Sequence, residues 1–252
     1  MNITLKKLIL NFYYCPIFVI ASLVVILVFT LWVVVCRPFL THRAAMRLFR
    51  NLTKIYGKVV VSLAYPWVRV KYIDDSKKVH TPCVYVCNHR SASDPFLMNY
   101  MPNEIVQTVN KWPFRLPVIG ILARFSGYLS IREMPIEEFY DRAGKLLSEG
   151  VSIVFFPEGT RSASSKMGPF NSAAFRLAQK FKVPVVPLCL TGNENIPLKG
   201  SLVLNPGLIK VHKLDAVMPE DFKDMKPFAL KNMVRLIIER ETALMEGRNY
   251  AV

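Results

Sequence analysis

Residues 8–36 form a stretch of 29 positions without a charged side chain, and residues 16–36 (PIFVIASLVVILVFTLWVVVC) are apolar almost without interruption. No other feature constrains the fold as strongly. A bilayer core of ~30 Å is crossed by about 20 such residues as helix. One straight helix over the whole stretch would measure ~43 Å at 1.5 Å per residue, longer than that core. The stretch is therefore expected as a tilted span, a bent helix, or a re-entrant helix pair broken near Pro16. Apolar character on every face suits lipid better than a soluble interior, which argues against a buried core helix. Its length, and an ending in Val33-Val34-Val35-Cys36-Arg37 without small residues for cleavage, argue against a signal peptide.

Charge sharpens this reading. The chain carries 33 Lys and Arg against 18 Asp and Glu, a net +15, and residues 1–73 hold ten of the cations and none of the acids. Arg43, Arg47, Arg50, Lys54 and Lys58 are spaced 4, 3, 4 and 4, so they align on one face of a helix whose other faces carry Ala45, Leu48, Phe49, Leu52, Ile55, Tyr56, Val59 and Leu63. The stripe reads as a basic amphipathic helix against anionic headgroups, each cation contributing ~1 kcal/mol, with an ordinary solvated face as the alternative. Under the positive-inside rule these cations place the remainder of the chain on the cytoplasmic side. Lys6 and Lys7 pull the same way, which favours the re-entrant pair. A nucleic-acid binder would spread its cations over a fold surface around a reading element, and that class is excluded. Five scattered cysteines form no disulfide framework and fit a reducing compartment.

Beyond about residue 66, β-rich runs alternate with helical ones. Strands are expected at 67–73, 84–87, 105–109, 127–131, 152–156, 183–190 and 208–214. Helices are expected near 94–101, 114–126, 135–149, 170–181 and 226–246. This alternation defines an α/β fold: a single domain over residues 66–252, with a mixed, largely parallel sheet flanked by helices. A membrane-embedded helical segment and basic helix over residues 1–65 precede it.

Several familiar sites are missing: no G-x-S-x-G elbow, dinucleotide glycine motif, phosphate loop, H-E-x-x-H or C-x2-C is present. Of the four histidines, His89 has the most informative context, Asn88-His89-Arg90-Ser91-Ala92-Ser93-Asp94-Pro95, directly after the strand run 84–87. Asp94 before Pro95 suits a helix start. A strand end, a tight loop and a helix start can bring imidazole and carboxylate together, so that the carboxylate fixes one ring nitrogen and leaves the other basic. With no protein nucleophile beside it, the base would activate a substrate hydroxyl. The alternative is a helix cap and an ordinary loop histidine. A metal site from Cys83, Cys87 and His89 is disfavoured, since both cysteines belong to the strand run. Phe155-Phe156-Pro157-Glu158-Gly159-Thr160-Arg161-Ser162 empties a strand into a loop with a glycine, a hydroxyl and a guanidinium, suited to an anionic oxygen cluster. Residues 111–132 form an apolar stretch bracketed by Lys111 and Arg132.

Asn88-His89-x4-Asp94-Pro95, Gly127-x3-Ile131-Arg132, Phe156-Pro157-Glu158-Gly159-Thr160-Arg161-Ser162 and Val183-Pro184-Val185-Val186-Pro187 stand in this order. Together they resemble the four sequence blocks of the glycerolipid acyltransferase superfamily, in particular its 1-acyl-glycerol-3-phosphate acyltransferase branch. The resemblance covers residues 80–192. It implies transfer of an acyl group from an acyl carrier protein or coenzyme A thioester to the free sn-2 hydroxyl of lysophosphatidate, giving phosphatidate. It further implies His89 as general base, Asp94 as its orienting partner, Arg132, Arg161 and Lys111 as cations for the acceptor phosphate, and Glu158 and Gly159 shaping the acceptor site. Gly127 and Thr160 belong to the second and third blocks, and Pro184 to a hydrophobic fourth block near the acyl chain. No metal or resident cofactor is implied. The second block departs from the commonest pattern, since Ser130-Ile131 precedes Arg132 where an aspartate is usual. Other lyso-lipid or amino-acid-lipid acceptors therefore stay open, as does a non-catalytic membrane lipid-binding protein.

Overall fold

The computed structural model describes residues 3–76, 82–131, 133–161, 167–197 and 200–248. The apolar stretch is one continuous helix, α1 (Ile3–Cys36), ~51 Å long at 1.5 Å per residue. It passes through Pro16 without a break, so the expected re-entrant pair is not formed there. The loss of one backbone hydrogen bond at proline is spread over a helix otherwise free of glycine. An 18-residue window within residues 3–32 reaches a mean hydropathy of 2.6, and the segment is mostly exposed, including Leu23, Leu27 and Leu31, which fits a membrane. The chain reverses through residues 37–41 into α2 (His42–Ser62), whose first turn is capped by the Thr41 hydroxyl accepting from Ala44 N at 3.3 Å. The two helices pair through Phe29 and Trp32 against Phe49, each with ring centroids 4.6 Å apart, and through Ser22 Oγ and Tyr56 OH at 2.8 Å.

The cationic stripe of α2 does not lie open to headgroups. Arg43 donates two hydrogen bonds of 2.7 Å to Glu104, and Arg50, 5% exposed, gives one of 2.7 Å to the same carboxylate and one of 2.9 Å to Ser126 O. Lys54 reaches the carbonyls of Pro102 and Asn103, and Lys58 lies over the Tyr100 ring. Of the five, Arg47, 3.4 Å from Glu104, and Lys58 are exposed. The expectations are corrected for Arg43, Arg50 and Lys54, which dock α2 onto the α/β body. The physical reason is Glu104, a single acid whose two oxygens attract guanidinium groups one helical turn apart.

The body is a six-stranded sheet of order β1-β6-β5-β2-β4-β3, from β1 (Val68–Asp74), β2 (Val84–Cys87), β3 (Ile105–Gln107), β4 (Ser152–Phe155), β5 (Val185–Thr191) and β6 (Gly207–Lys213). Only the β5–β6 pair is antiparallel. Val84 stands beside Ile153 on one side and Val185 on the other, so β2 occupies the centre. β2, β4 and β5 are buried along their whole length, as continuous apolar runs in a parallel sheet require. One face packs on α5 (Ile136–Ser148), α6 (Ala173–Phe181) and α8 (Pro227–Met245), around Phe139, Phe155 and Phe175. The other packs on α3 (Asp94–Leu97) and the N-terminal helices, with Leu10 of α1 fully buried in the same cluster as Tyr85 and Leu97. Asn11 of α1 also exchanges two 2.8 Å hydrogen bonds with the backbone of Leu204.

Residues 127–131 form no strand. α4 (Pro117–Phe125) ends at Gly127, whose φ of +75° turns the chain out of the helix, and only Leu129 bridges Thr108 at the sheet edge. A short α7 (Pro219–Phe222) precedes α8.

Candidate active site

β2 ends at Cys87, and the next residues build the site. Asn88 locks the loop to the sheet by donating to Leu190 O at 2.9 Å and accepting from Leu190 N at 2.8 Å. His89 Nδ1 then lies 2.7 Å from Asp94 Oδ2. Asp94 is fully buried and opens α3, yet its carboxylate turns back toward the loop, accepting from the amides of Arg90 at 2.7 Å and Ser91 at 2.9 Å. Asn193 Nδ2 donates to the other oxygen. Asp94 is thus no ordinary helix cap: four donors fix its carboxylate, which fixes the imidazole with Nδ1 as donor and leaves Nε2 with a basic lone pair. The ring packs on Phe156 at a centroid distance of 4.7 Å.

The third sequence block meets the first here. Glu158 accepts from His89 N and from Gly168 N, both at 2.8 Å, so its carboxylate ties the two loops together. Gly159 has φ +68°, a conformation that a side chain would strain, and carries the chain back along the cavity. The resulting cavity has a volume of about 330 Å³, and His89, Gly159, Thr160 and Arg161 line it together with Thr108, Trp112 and Asn171. Ala92 lines this cavity and also a second, mainly apolar one of about 390 Å³, enclosed by residues of α1, α2 and α3 such as Phe18, Val60 and Phe96.

Not every expected residue comes to the cavity. Lys111 stands on the far side of the 3-10 turn Trp112–Arg115, its ammonium 3.2 Å from Glu133. Gly127 lies beside Met46 and Arg50, away from His89. Pro184 accepts from Val84 N at 2.9 Å within the sheet and lines neither cavity, so its place is structural. Arg132, Ser162 and His80 lie outside the described residues. Asn193 escaped the sequence reading; its only signal was the polar run Gly192-Asn193-Glu194-Asn195 directly after a buried strand. Arg90, 5% exposed, was likewise missed: it pairs with Glu194 and with Glu246 at the end of α8, bracing the loop from behind.

Among the described residues no group of three His, Cys, Asp or Glu side chains is arranged to hold a metal. Burial pushes the Cys83 thiol up to about 11 and the Cys87 thiol well above its ordinary value, so neither is poised as a thiolate nucleophile or ligand. The site is an oriented imidazole facing a cavity with hydroxyls and a guanidinium on its wall.

The class of the protein follows from a family match over the segment that carries β1 to β5 of this sheet and the histidine–aspartate pair. Residues 68–191 match the Acyltransferase family, and the chain belongs to it. Within the family it is similar to a chloroplastic 1-acyl-sn-glycerol-3-phosphate acyltransferase of Brassica napus, 32% identical over 69% of this chain and 52% of that one. A chloroplastic relative of the same description from Arabidopsis thaliana is 31% identical over 64% and 46%. The chain spans about half the length of these relatives. The crystal structure of the 1-acyl-sn-glycerophosphate acyltransferase from Thermotoga maritima shares the fold, with a TM-score of 0.77 and 22% identity over 99% of this chain and all of that one.

Proposed function

We propose that the protein is a membrane-docked O-acyltransferase that esterifies the sn-2 hydroxyl of lysophosphatidate from an acyl thioester, yielding phosphatidate. The observation that carries this reading is the His89–Asp94 pair on a cavity walled by Thr160 and Arg161. His89 Nε2 takes the proton of the acceptor hydroxyl as its oxygen attacks the thioester carbonyl. The C–O ester bond forms, the C–S bond breaks, and the imidazolium returns the proton to the departing thiolate. Buried Asp94 stabilises the transient imidazolium and holds the ring in place between the two transfers.

Arg161 binds the acceptor phosphate with the planar, multi-donor geometry that suits it, assisted by Arg132 and by Lys111 swinging round the 112–115 turn. The acyl chain enters the apolar cavity through the passage at Ala92. Exposed α1, which supplies Tyr14 and Phe18 to the wall of the apolar cavity, supports a membrane beside that cavity, with the catalytic body on the cytoplasmic side. The Brassica, Arabidopsis and human relatives are all 1-acyl-sn-glycerol-3-phosphate acyltransferases, which supports this acceptor over other lyso-lipids.

The test is mass spectrometry of products formed by the full chain from mixed acyl donors and a panel of lyso-acceptors. Phosphatidate should dominate, and His89→Ala should abolish it while the protein remains folded and membrane-bound. Transfer to lysophosphatidate at undiminished rate in that variant would remove His89 from the chemistry; transfer only to other acceptors would reassign the substrate.

A further inference from the structure

The catalytic loop 88–94 leans on the segment that follows β5 at three points. Asn88 bonds both backbone groups of Leu190, Ser91 Oγ donates to Ile196 O at 2.8 Å, and between them the Arg90 guanidinium pairs with Glu194. Arg90 also reaches a third element, through Glu246 directly after α8. Its side chain is 4% exposed and lines neither cavity, so it stands apart from the space a substrate can fill. Its backbone faces the other way, and Arg90 N donates to Asp94 Oδ2 at 2.7 Å. Glu194 follows Asn193, whose Nδ2 donates to Asp94 Oδ1. One bridge therefore ties together the two segments that hold the two oxygens of Asp94.

The far end of the bridge is fixed as well. Lys210 on β6 donates to Met245 O at 2.9 Å, holding the last turn of α8 to the sheet, and Arg248 pairs with the second oxygen of Glu246. An acid is disfavoured at a helix C-terminus, where the macrodipole is negative. Glu246 occupies that place with Arg90 in reach, so its partner accounts for it and the helix does not. Burial alone would lower the Arg90 pKa, and Glu194 and Glu246 outweigh it, so the guanidinium is held charged.

We propose that Arg90 is a positioning residue for acyl transfer, and that Glu194 and Glu246 act through it: the bridge sets the direction of the Arg90 amide and of Asn193 toward Asp94, and thereby the angle of the His89 ring. The inference rests on the acyl-transfer reading above. Asn88 and Ser91 already fasten the loop to the β5 side, so the connection to α8 adds orientation rather than attachment. A carboxylate free to rotate would let the imidazole swing, and a base misplaced by ~1 Å can cost as much as ~100-fold in rate.

The experiment uses the full chain in detergent micelles, with Arg90→Met, Arg90→Lys and Glu246→Gln, and with Glu104→Gln as a control that loses ion pairs to α2 instead. Below the thermal transition of every variant, Arg90→Met should lower kcat about tenfold and Glu246→Gln about threefold, with both KM values unchanged. Arg90→Lys, whose ammonium can stand between the same two carboxylates, should return kcat to within about threefold of the parent. Glu104→Gln should lower Tm and leave kcat unchanged. With the histidine ring nitrogens labelled, the NMR signal of the His89 Nδ1 proton, assigned by its loss in His89→Ala, should broaden or shift in Arg90→Met and stay in place in Glu104→Gln. That signal needs no turnover, so its response in a parent that transfers no acyl group would refute the acyl-transfer reading while upholding the bridge. A kcat within about twofold of the parent and an unmoved signal in Arg90→Met would overturn the proposal, as would a rise in KM at constant kcat. An equal kcat loss in Glu104→Gln would overturn it too, because stability alone would then account for the effect. Should Arg90→Met fail to fold, Glu246→Gln, at a side chain 20% exposed, carries the same kinetic and spectroscopic comparison.

Discussion

Replacing Glu104 by Gln should be among the most destabilising single changes outside the hydrophobic core. The Glu104 side chain is 11% exposed and receives Arg43 twice and Arg50 once, all at 2.7 Å, with Arg47 at 3.4 Å. Arg50 is the more deeply buried partner, its side chain 4% exposed, and without the carboxylate it would keep only Ser126 O. Breaking one side of a buried ion pair costs ~3 kcal/mol or more, because the other charge is left uncompensated. For a chain of this length each kcal/mol moves Tm by about 2–4 °C, so a fall of roughly 6–12 °C is expected in thermal unfolding followed in detergent. Arg47→Gln is the internal control: its side chain is 70% exposed and should cost less than ~1 kcal/mol. Adding Arg50→Met to Glu104→Gln should recover part of the loss by removing the stranded charge. The pH dependence follows the same logic. Burial alone would raise the Glu104 carboxyl, and the hydrogen bonds and charges of Arg43 and Arg50 outweigh it, leaving it below the ordinary range. A depressed native pKa contributes stability that is present above the unfolded value near 4.5 and lost as pH falls through the native one. The gap between parent and Glu104→Gln should therefore narrow in acid. Equal Tm shifts for Glu104→Gln and Arg47→Gln would refute the docking role and return the stripe to the surface.

Two further changes probe the site itself. Asn193→Ala removes the donor on the outer oxygen of Asp94 and should lower kcat about tenfold with the acceptor KM unchanged, since an unmet buried acceptor costs ~1–3 kcal/mol; a kcat within twofold of the parent would mean that the loop amides suffice. Ala92 lines both the catalytic and the apolar cavity, so under the proposed acyl path Ala92→Phe should shift product profiles toward shorter acyl chains. A uniform fall for all chain lengths would place the acyl group elsewhere.

Buried strands were readable because β2, β4 and β5 need apolar side chains on both faces, and short β-branched runs between helical stretches carry that requirement directly. The run 127–131 also holds apolar residues and forms no strand, because Gly127 turns the chain out of α4 and only Leu129 bridges Thr108, just past β3. The α2 stripe failed for a related reason. Periodicity shows which residues share a face, but the partner of that face was one glutamate about fifty residues away, invisible until the fold brings it near. In the site, His89, Asp94, Gly159, Thr160 and Arg161 lie close in sequence to strand ends and were legible as motifs. Asn193 and Arg90 act through contacts 99 to 156 residues distant and had no local signature.

The helix α1 is held to the body near both ends, by Leu10 and Asn11 on one side and by Phe29 against Phe49 and Phe125 on the other. A loosely tethered helix answers a change in bilayer thickness by swivelling alone. Here swivelling would drag the whole catalytic body with it, changing the angle at which the mouth of the cavity meets the headgroup plane. With two anchors about twenty residues apart, the tilt of α1 and the orientation of the sheet behave as a single degree of freedom.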